Sequence, residues 1–189
     1  MRRTLIALAL ALIALPAWAQ GKQDPAEKDN AISPETIEAL TTDYFGRGNA
    51  YLEQGQYDQA IADFTKAIAL LPPNADVYHN RSVAYSDKGL YDQAIADLTQ
   101  AIALKPDANA YNERAWNYHL KGEDAKGLPD ANKAVALAPR DAAAIETRAE
   151  IYEKLGQRKK AIADYRASLR IEPGQQTSLD GLKRLRAKP

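Results

Sequence analysis

Residues 81–106 read RSVAYSDKGLYDQAIADLTQAIALKP, and residues 47–72, RGNAYLEQGQYDQAIADFTKAIALLP, carry nearly the same pattern one period earlier. Two further copies, Arg114 to Pro139 and Arg148 to Pro173, keep the skeleton with more drift, giving four copies spaced 33 or 34 residues apart. Tyr51, Tyr85, Tyr118 and Tyr152 stand in step, as do Gly55, Gly89, Gly122 and Gly156 and the closing Pro72, Pro106, Pro139 and Pro173. Units of this length cannot bury an apolar face alone and must stack on their neighbours.

Each copy divides into two amphipathic helices. The first runs to the glycine, which tolerates the positive φ of a helix end. The second begins at Tyr57-Asp58-Gln59 or Tyr91-Asp92-Gln93, with an aspartate near the positive end of the helix dipole. Its apolar residues, Ala60, Ile61, Phe64, Ala67, Ile68 and Leu71, follow helical spacing. Proline then ends it. Small residues mark where two helices approach closely: Gly48, Ser82, Ala115 and Ala149 on the first, Ala60, Ala94, Gly127 and Ala161 on the second.

These residues resemble the tetratricopeptide repeat family, whose pattern sets Trp/Tyr-x2-Leu-Gly-x2-Tyr on one helix and Ala-x3-Phe…Pro on the next. The resemblance covers residues 41–175. It implies an all-α fold, a right-handed α-solenoid of four tetratricopeptide helix-turn-helix repeats with a C-terminal capping helix. The repeats are assigned to 41–74, 75–107, 108–141 (irregular) and 142–175, so that the small residue of each first helix is position 8. Residues 34–40 extend the first helix and 176–189 form the cap.

Position 7, leucine in the family pattern, is Arg47, Arg81, Arg114 and Arg148, and position 23 is Asp63, Asp97, Asp130 and Asp164. The two positions face each other, which predicts a structural ladder of ion pairs, since a guanidinium can donate two parallel hydrogen bonds to one carboxylate. The alternative sets the arginines against an anionic ligand.

Met1-Arg2-Arg3, the apolar run Leu5 to Leu15 and Ala17-Trp18-Ala19 read as a secretory signal peptide over 1–19, with cleavage expected after Ala19. The apolar run is about half the ~20 residues that span a bilayer, so no stable membrane anchor is expected after cleavage. A periplasmic or secreted location follows. The chain has no cysteine, which removes disulfides, thiolate catalysis, cysteine zinc sites and a lipoprotein-type anchor. Residues 20–33 read as a flexible polar leader. Ser33-Pro34-Glu35 reads as a helix start continuing into the first repeat.

Gln176 to Ala187 carries Leu179, Leu182 and Leu185 on one side, with Lys183, Arg184, Arg186 and Lys188 near its end, as a solvating cap would. The third repeat is the irregular one. Position 17 lacks an aromatic, Ala131 replaces the bulky residue at position 24, and Pro129 predicts either a kink or a second helix that starts one turn late. A looser repeat and a hinge or partner surface are the two readings.

In the family, first helices line the groove through positions 2, 5, 6, 9, 12 and 13. Transferred here, these give Phe45, Asn49, Glu53, Asp76, His79, Asn80, Asp87, Asn109, Asn112, Glu113, Trp116, His119, Glu146, Thr147, Glu150, Glu153 and Lys154. Asparagine can pair with both N–H and C=O of an extended peptide. Trp116 reads either as a binding anchor or as packing between helices. The carboxylate-clamp pattern of some relatives keeps its asparagines at Asn49 and Asn80, but its cationic positions hold Phe45, Asn109 and Glu113. The groove is therefore expected to prefer neutral or basic segments.

Losing Arg2 and Arg3 leaves 23 basic residues against 25 acidic ones, and no basic stripe suggests nucleic acid. No phosphate loop, nucleophile elbow or paired-histidine metal motif occurs, and Gly46-x-Gly48 lies within a helical pattern. No cofactor, metal or catalysis is expected. Two functions remain: a non-catalytic interaction module binding a peptide or protein in the groove, or a structural subunit of an envelope assembly joined through its convex face or end caps. A glycan binder using Trp116 as a platform is a third. The oligomeric state is not legible.

Overall fold

A computed structural model describes residues 33–70 and 74–189. The signal peptide, all of the leader but Ser33, and Leu71 and Pro72 lie outside these residues. Among the described residues every regular element is helical: α1 Pro34–Glu53, α2 Tyr57–Leu70, α3 Ala75–Asp87, α4 Tyr91–Leu104, α5 Ala108–Leu120, α6 Asp124–Leu137, α7 Ala142–Lys154, α8 Arg158–Ile171 and α9 Gln176–Arg184. Four helix pairs stack in chain order and α9 covers the last. α1 runs without a break from Pro34 into the first repeat, carrying Gly46 and Gly48 inside it.

The turns have a common physical cause. After each first helix the chain enters left-handed φ at a glycine, from +70° at Gly55 to +79° at Gly122. The following N–H then reaches back to the position-11 tyrosine carbonyl: Gln56 to Tyr51, Leu90 to Tyr85, Glu123 to Tyr118 and Gln157 to Tyr152, each at 2.8 Å. This closes the orphaned carbonyls of the helix end. Asn74, Asp107 and Asp141 cap the next first helices through their side chains, satisfying orphaned N–H groups.

Position 24 supplies the fully buried centre of each pair, as Phe64, Leu98, Ala131 and Tyr165. The apolar clusters cross repeat boundaries. Val77 and Ala84 of α3 join Ala60 and Phe64, Ala110 joins Leu98, and Ile151 joins Ala131. No repeat completes its own core, which is the physical meaning of the period.

Two sequence expectations are revised. α6 does not start one turn late: it begins at Asp124, in register with Tyr57, Tyr91 and Arg158, and continues through Pro129, whose ring is exposed. The absent proline N–H therefore falls on a solvent-facing side. The cap helix ends at Arg184 rather than extending through Ala187, and it buries Ser178, Gly181 and Leu182, leaving Leu179 only half-buried. A Cβ on Gly181 would lie 2.4 Å from Tyr165 Cζ, so this glycine sets how closely α9 seats, while Leu182 and Leu185 pack in the same cluster as Tyr165.

Candidate binding surface and its ion-pair ladder

The position-7 arginines meet the position-23 aspartates with the same two-bond geometry in all four repeats. Arg47 Nε and Nη2 donate to Asp63 at 2.6 and 2.8 Å, Arg81 to Asp97 at 2.7 and 2.8 Å, Arg114 to Asp130 at 2.7 and 2.9 Å, and Arg148 to Asp164 at 2.7 and 3.0 Å. All four aspartates are buried, and the Arg47 guanidinium holds the Asp63 carboxyl below its usual range. Tyrosine rings flank the charges: Tyr78 and Tyr85 lie 5.8 and 5.7 Å from the Arg81 guanidinium.

The third nitrogen couples repeats, a contact that sequence reading missed. Arg81 Nη1 donates to Thr65 Oγ at 2.9 Å and Arg114 Nη1 to Thr99 Oγ at 3.0 Å, each threonine belonging to the preceding repeat. Both threonines occupy position 25, and that shared position is the signal from which the contact could have been found. In the fourth repeat position 25 of the preceding unit is Asn132, which accepts instead from Tyr152 Oη at 3.3 Å.

On the other side of the first helices, polar groups join α1, α3 and α5. Asn80 Nδ2 donates to Asn49 Oδ1 at 2.7 Å. His79 lies between Asn80 Oδ1, 3.2 Å from Nδ1, and Glu113 Oε2, 3.0 Å from Nε2, with the Asn109 amide 3.2 Å from Nε2. The Glu113 carboxylate raises the His79 pKa to about 9, outweighing burial, so the ring is a cation at neutral pH. His79 and Glu113 thus neutralise each other between α3 and α5.

His119 belongs to a separate group. Its Nδ1 lies 2.6 Å from Asp124 Oδ1, and its ring stacks on Trp116 with centroids 5.1 Å apart and planes at 29°. Asp124 stands where other repeats carry tyrosine or arginine at position 17, so the irregular third repeat fixes the indole through the imidazole. Trp116 is half-buried and lines a cavity of about 380 Å³ with Asn112, Ala143, Glu146, Thr147, Glu150 and Thr177.

The structure also revises the predicted acidity at the C-terminal end. Ser178 Oγ donates to Glu146 at 2.6 Å, and Arg184 Nε and Nη2 donate to Glu153, both at 3.0 Å. Arg184 and a hydrogen bond from Tyr165 hold Glu153 below the ordinary carboxylate range. The cap therefore engages two of the supposed groove acids, and its arginine serves as a counter-ion on α7. Glu150 keeps no ion pair among the described residues, and burial pushes its pKa up. Thr147 is buried, and Phe45 packs against Phe64 with centroids 6.1 Å apart, so both belong largely to the core.

Comparison with known proteins agrees with this architecture. A family model described as "TPR repeat" matches residues 48–89, and one described as "Tetratricopeptide repeat" matches 75–107 and 142–175. Human sperm-associated antigen 1 is 29% identical over 140 residues, which cover 74% of this chain and 12% of that protein. Hsp70-Hsp90 organizing protein 1 of Glycine max is 34% identical over 78 residues, 41% of this chain and 14% of that protein. The chain thus spans only about an eighth of the length of these relatives. A crystal structure of MamA protein superposes with a TM-score of 0.68 at 27% identity, over 78% of this chain and 84% of that one. The family-model matches fall on the stacked helix pairs described above, and this chain carries tetratricopeptide repeats over residues 48–107 and 142–175.

Proposed function

We propose that the groove lined by α1, α3, α5 and α7 binds a peptide segment or partner protein, and that the chain acts as a non-catalytic interaction module of the bacterial cell envelope. The observation that carries this is the polar row Asn49–Asn80–His79–Glu113. Its members hydrogen-bond one another across three helices, which fixes their rotamers before a partner arrives. Asn109 stands exposed beside the row, and half-buried Trp116 lies farther along the same side. Amides suit an extended backbone, and a tryptophan held by a stacked imidazole suits a side-chain anchor. The interaction role in the name of Hsp70-Hsp90 organizing protein agrees with this reading.

The signal-peptide pattern at 1–19 supports export, and periplasmic or secreted residence is part of the proposal. Pairing of Glu113 with His79 and of Glu153 with Arg184 narrows the expected charge preference. Neutral segments suit the centre of the groove, and basic ones suit its α7 end.

Selection from a displayed peptide library on the mature chain tests the reading. Enriched peptides should lose binding to a folded Asn80→Ala/Trp116→Ala variant and keep it with Gln93→Ala/Lys133→Ala, whose residues are exposed on the second helices. Peptides that bind both variants equally would contradict groove recognition and favour the reading in which the convex face or the caps join an assembly.

A further inference from the structure

The α7 end of the groove sets the half-buried Glu150 carboxylate and the Trp116 indole on one cavity lining. Glu150 stands between the 380 Å³ cavity beside Trp116 and a neighbouring space of about 620 Å³ bounded by His119, Glu153, Lys154 and Arg184. It is a half-buried carboxylate, yet among the described residues no cation comes within ion-pair distance of it. Its two neighbours on the same face are engaged, Glu146 by Ser178 and Glu153 by Arg184. Partial removal from water without a counter-ion is unfavourable for a carboxylate, and an incoming cation would relieve it.

The aromatic wall is fixed in advance. Asp124 holds His119, and His119 stacks on Trp116. An indole surface and a carboxylate without an ion-pair partner together suit a group with an apolar stem and a charged head. No three of the described histidine, aspartate and glutamate side chains converge as metal ligands would, so the carboxylate is better matched to an organic cation.

We propose that the trough between Trp116 and Glu150 is a subsite for one lysine or arginine side chain of a bound peptide, with its stem on the indole and its head on the Glu150 carboxylate. The proposal rests on the groove reading above and adds to it a position and a side-chain class. The titratable groups around Glu150 are His119 on α5, Glu146, Glu153 and Lys154 on α7, and Arg184 on α9. Arg184 is bound by Glu153, so it does not take the place of the incoming cation.

The test uses the 15N-labelled full chain and two probes, acetyl-Gly-Lys-Gly-amide and its norleucine counterpart, which keeps the stem and lacks the charge. The Trp116 indole N–H resonance is identified by its loss in Trp116→Phe. The lysine probe should shift it with a Kd on the order of millimolar, the norleucine probe should bind at least about tenfold more weakly, and Glu150→Gln should abolish that difference. Equal shifts from both probes, no shift from either, or unchanged discrimination in Glu150→Gln would overturn the subsite. Library peptides that need Asn80 and Trp116 but are indifferent to Glu150→Gln would remove the subsite and leave groove binding standing. Peptides indifferent to Asn80 and Trp116 would remove the groove reading itself.

Discussion

Arg81 grips Asp97 through two parallel hydrogen bonds, and the same guanidinium reaches Thr65 of the preceding repeat, so one side chain fastens three helices. The Asp97 carboxylate is buried, and Arg81 is only 15% exposed. Removing one partner of such a pair strands the other charge away from water, whereas replacing both with apolar groups removes the desolvation problem. Arg81→Ala should therefore cost about 3 kcal/mol in urea unfolding, and Arg81→Met/Asp97→Leu should cost clearly less. Arg47→Ala should cost less than Arg81→Ala, because Arg47 is 45% exposed at the edge of the stack.

Thr65→Val and Thr99→Val isolate the coupling between repeats. Each removes an acceptor for an arginine Nη1 while keeping the side-chain shape, and each arginine retains its aspartate. A loss of about 1 kcal/mol per site is expected from urea midpoints. Arg148 has no threonine beneath it, and Asn132 accepts from Tyr152, so Asn132→Ala should leave the Arg148–Asp164 pair intact.

Gly127 and Pro129 make opposite predictions within one helix. Alanine improves helix propensity over glycine by about 1 kcal/mol, but a Cβ at Gly127 would stand 2.9 Å from the Ala115 backbone carbonyl oxygen. A backbone atom cannot rotate away, and overpacking of this kind costs about 1–3 kcal/mol, so Gly127→Ala should lower the thermal midpoint. Pro129 lies inside α6 with an exposed ring, so Pro129→Ala restores a helical donor at little packing loss and should raise the midpoint.

The His79–Glu113 pair predicts a pH dependence of stability. Its pKa rises from the ordinary value of about 6.5 to about 9 in the folded chain, chiefly because Glu113 accepts from it. The stabilisation is fully present below about pH 6.5 while Glu113 stays ionised, and it is lost as pH climbs through about 9. Thermal midpoints recorded from pH 6 to pH 10 should fall more steeply for the wild type than for His79→Gln.

The fold was legible because the chain states its plan four times. A tyrosine, a glycine and a proline recurring in step specify helix, turn and stop, and the arginine and aspartate sixteen residues apart that recur in every copy are hydrogen-bonded in every copy. The parts that escaped are those that occur once or join different repeats. The threonine beneath each central arginine belongs to another unit, and the pairing of His119 with Asp124 exists only in the third. Leu182 and Leu185 of the leucine pattern do pack beside Tyr165, but the close seating of α9 at Gly181 and its engagement of Glu146 and Glu153 carried no periodic signal. A list of groove positions names residues facing one way, but not which of them are already satisfied.

Capture of envelope proteins on immobilised mature chain, compared with the folded Asn80→Ala/Trp116→Ala variant, tests groove recognition most directly. Any retained protein would then be titrated in purified form. The account predicts a partner held by the wild type and by Gln93→Ala/Lys133→Ala and released by the groove variant. Equal retention by all three would contradict it and move the binding surface to the second helices or the ends of the stack.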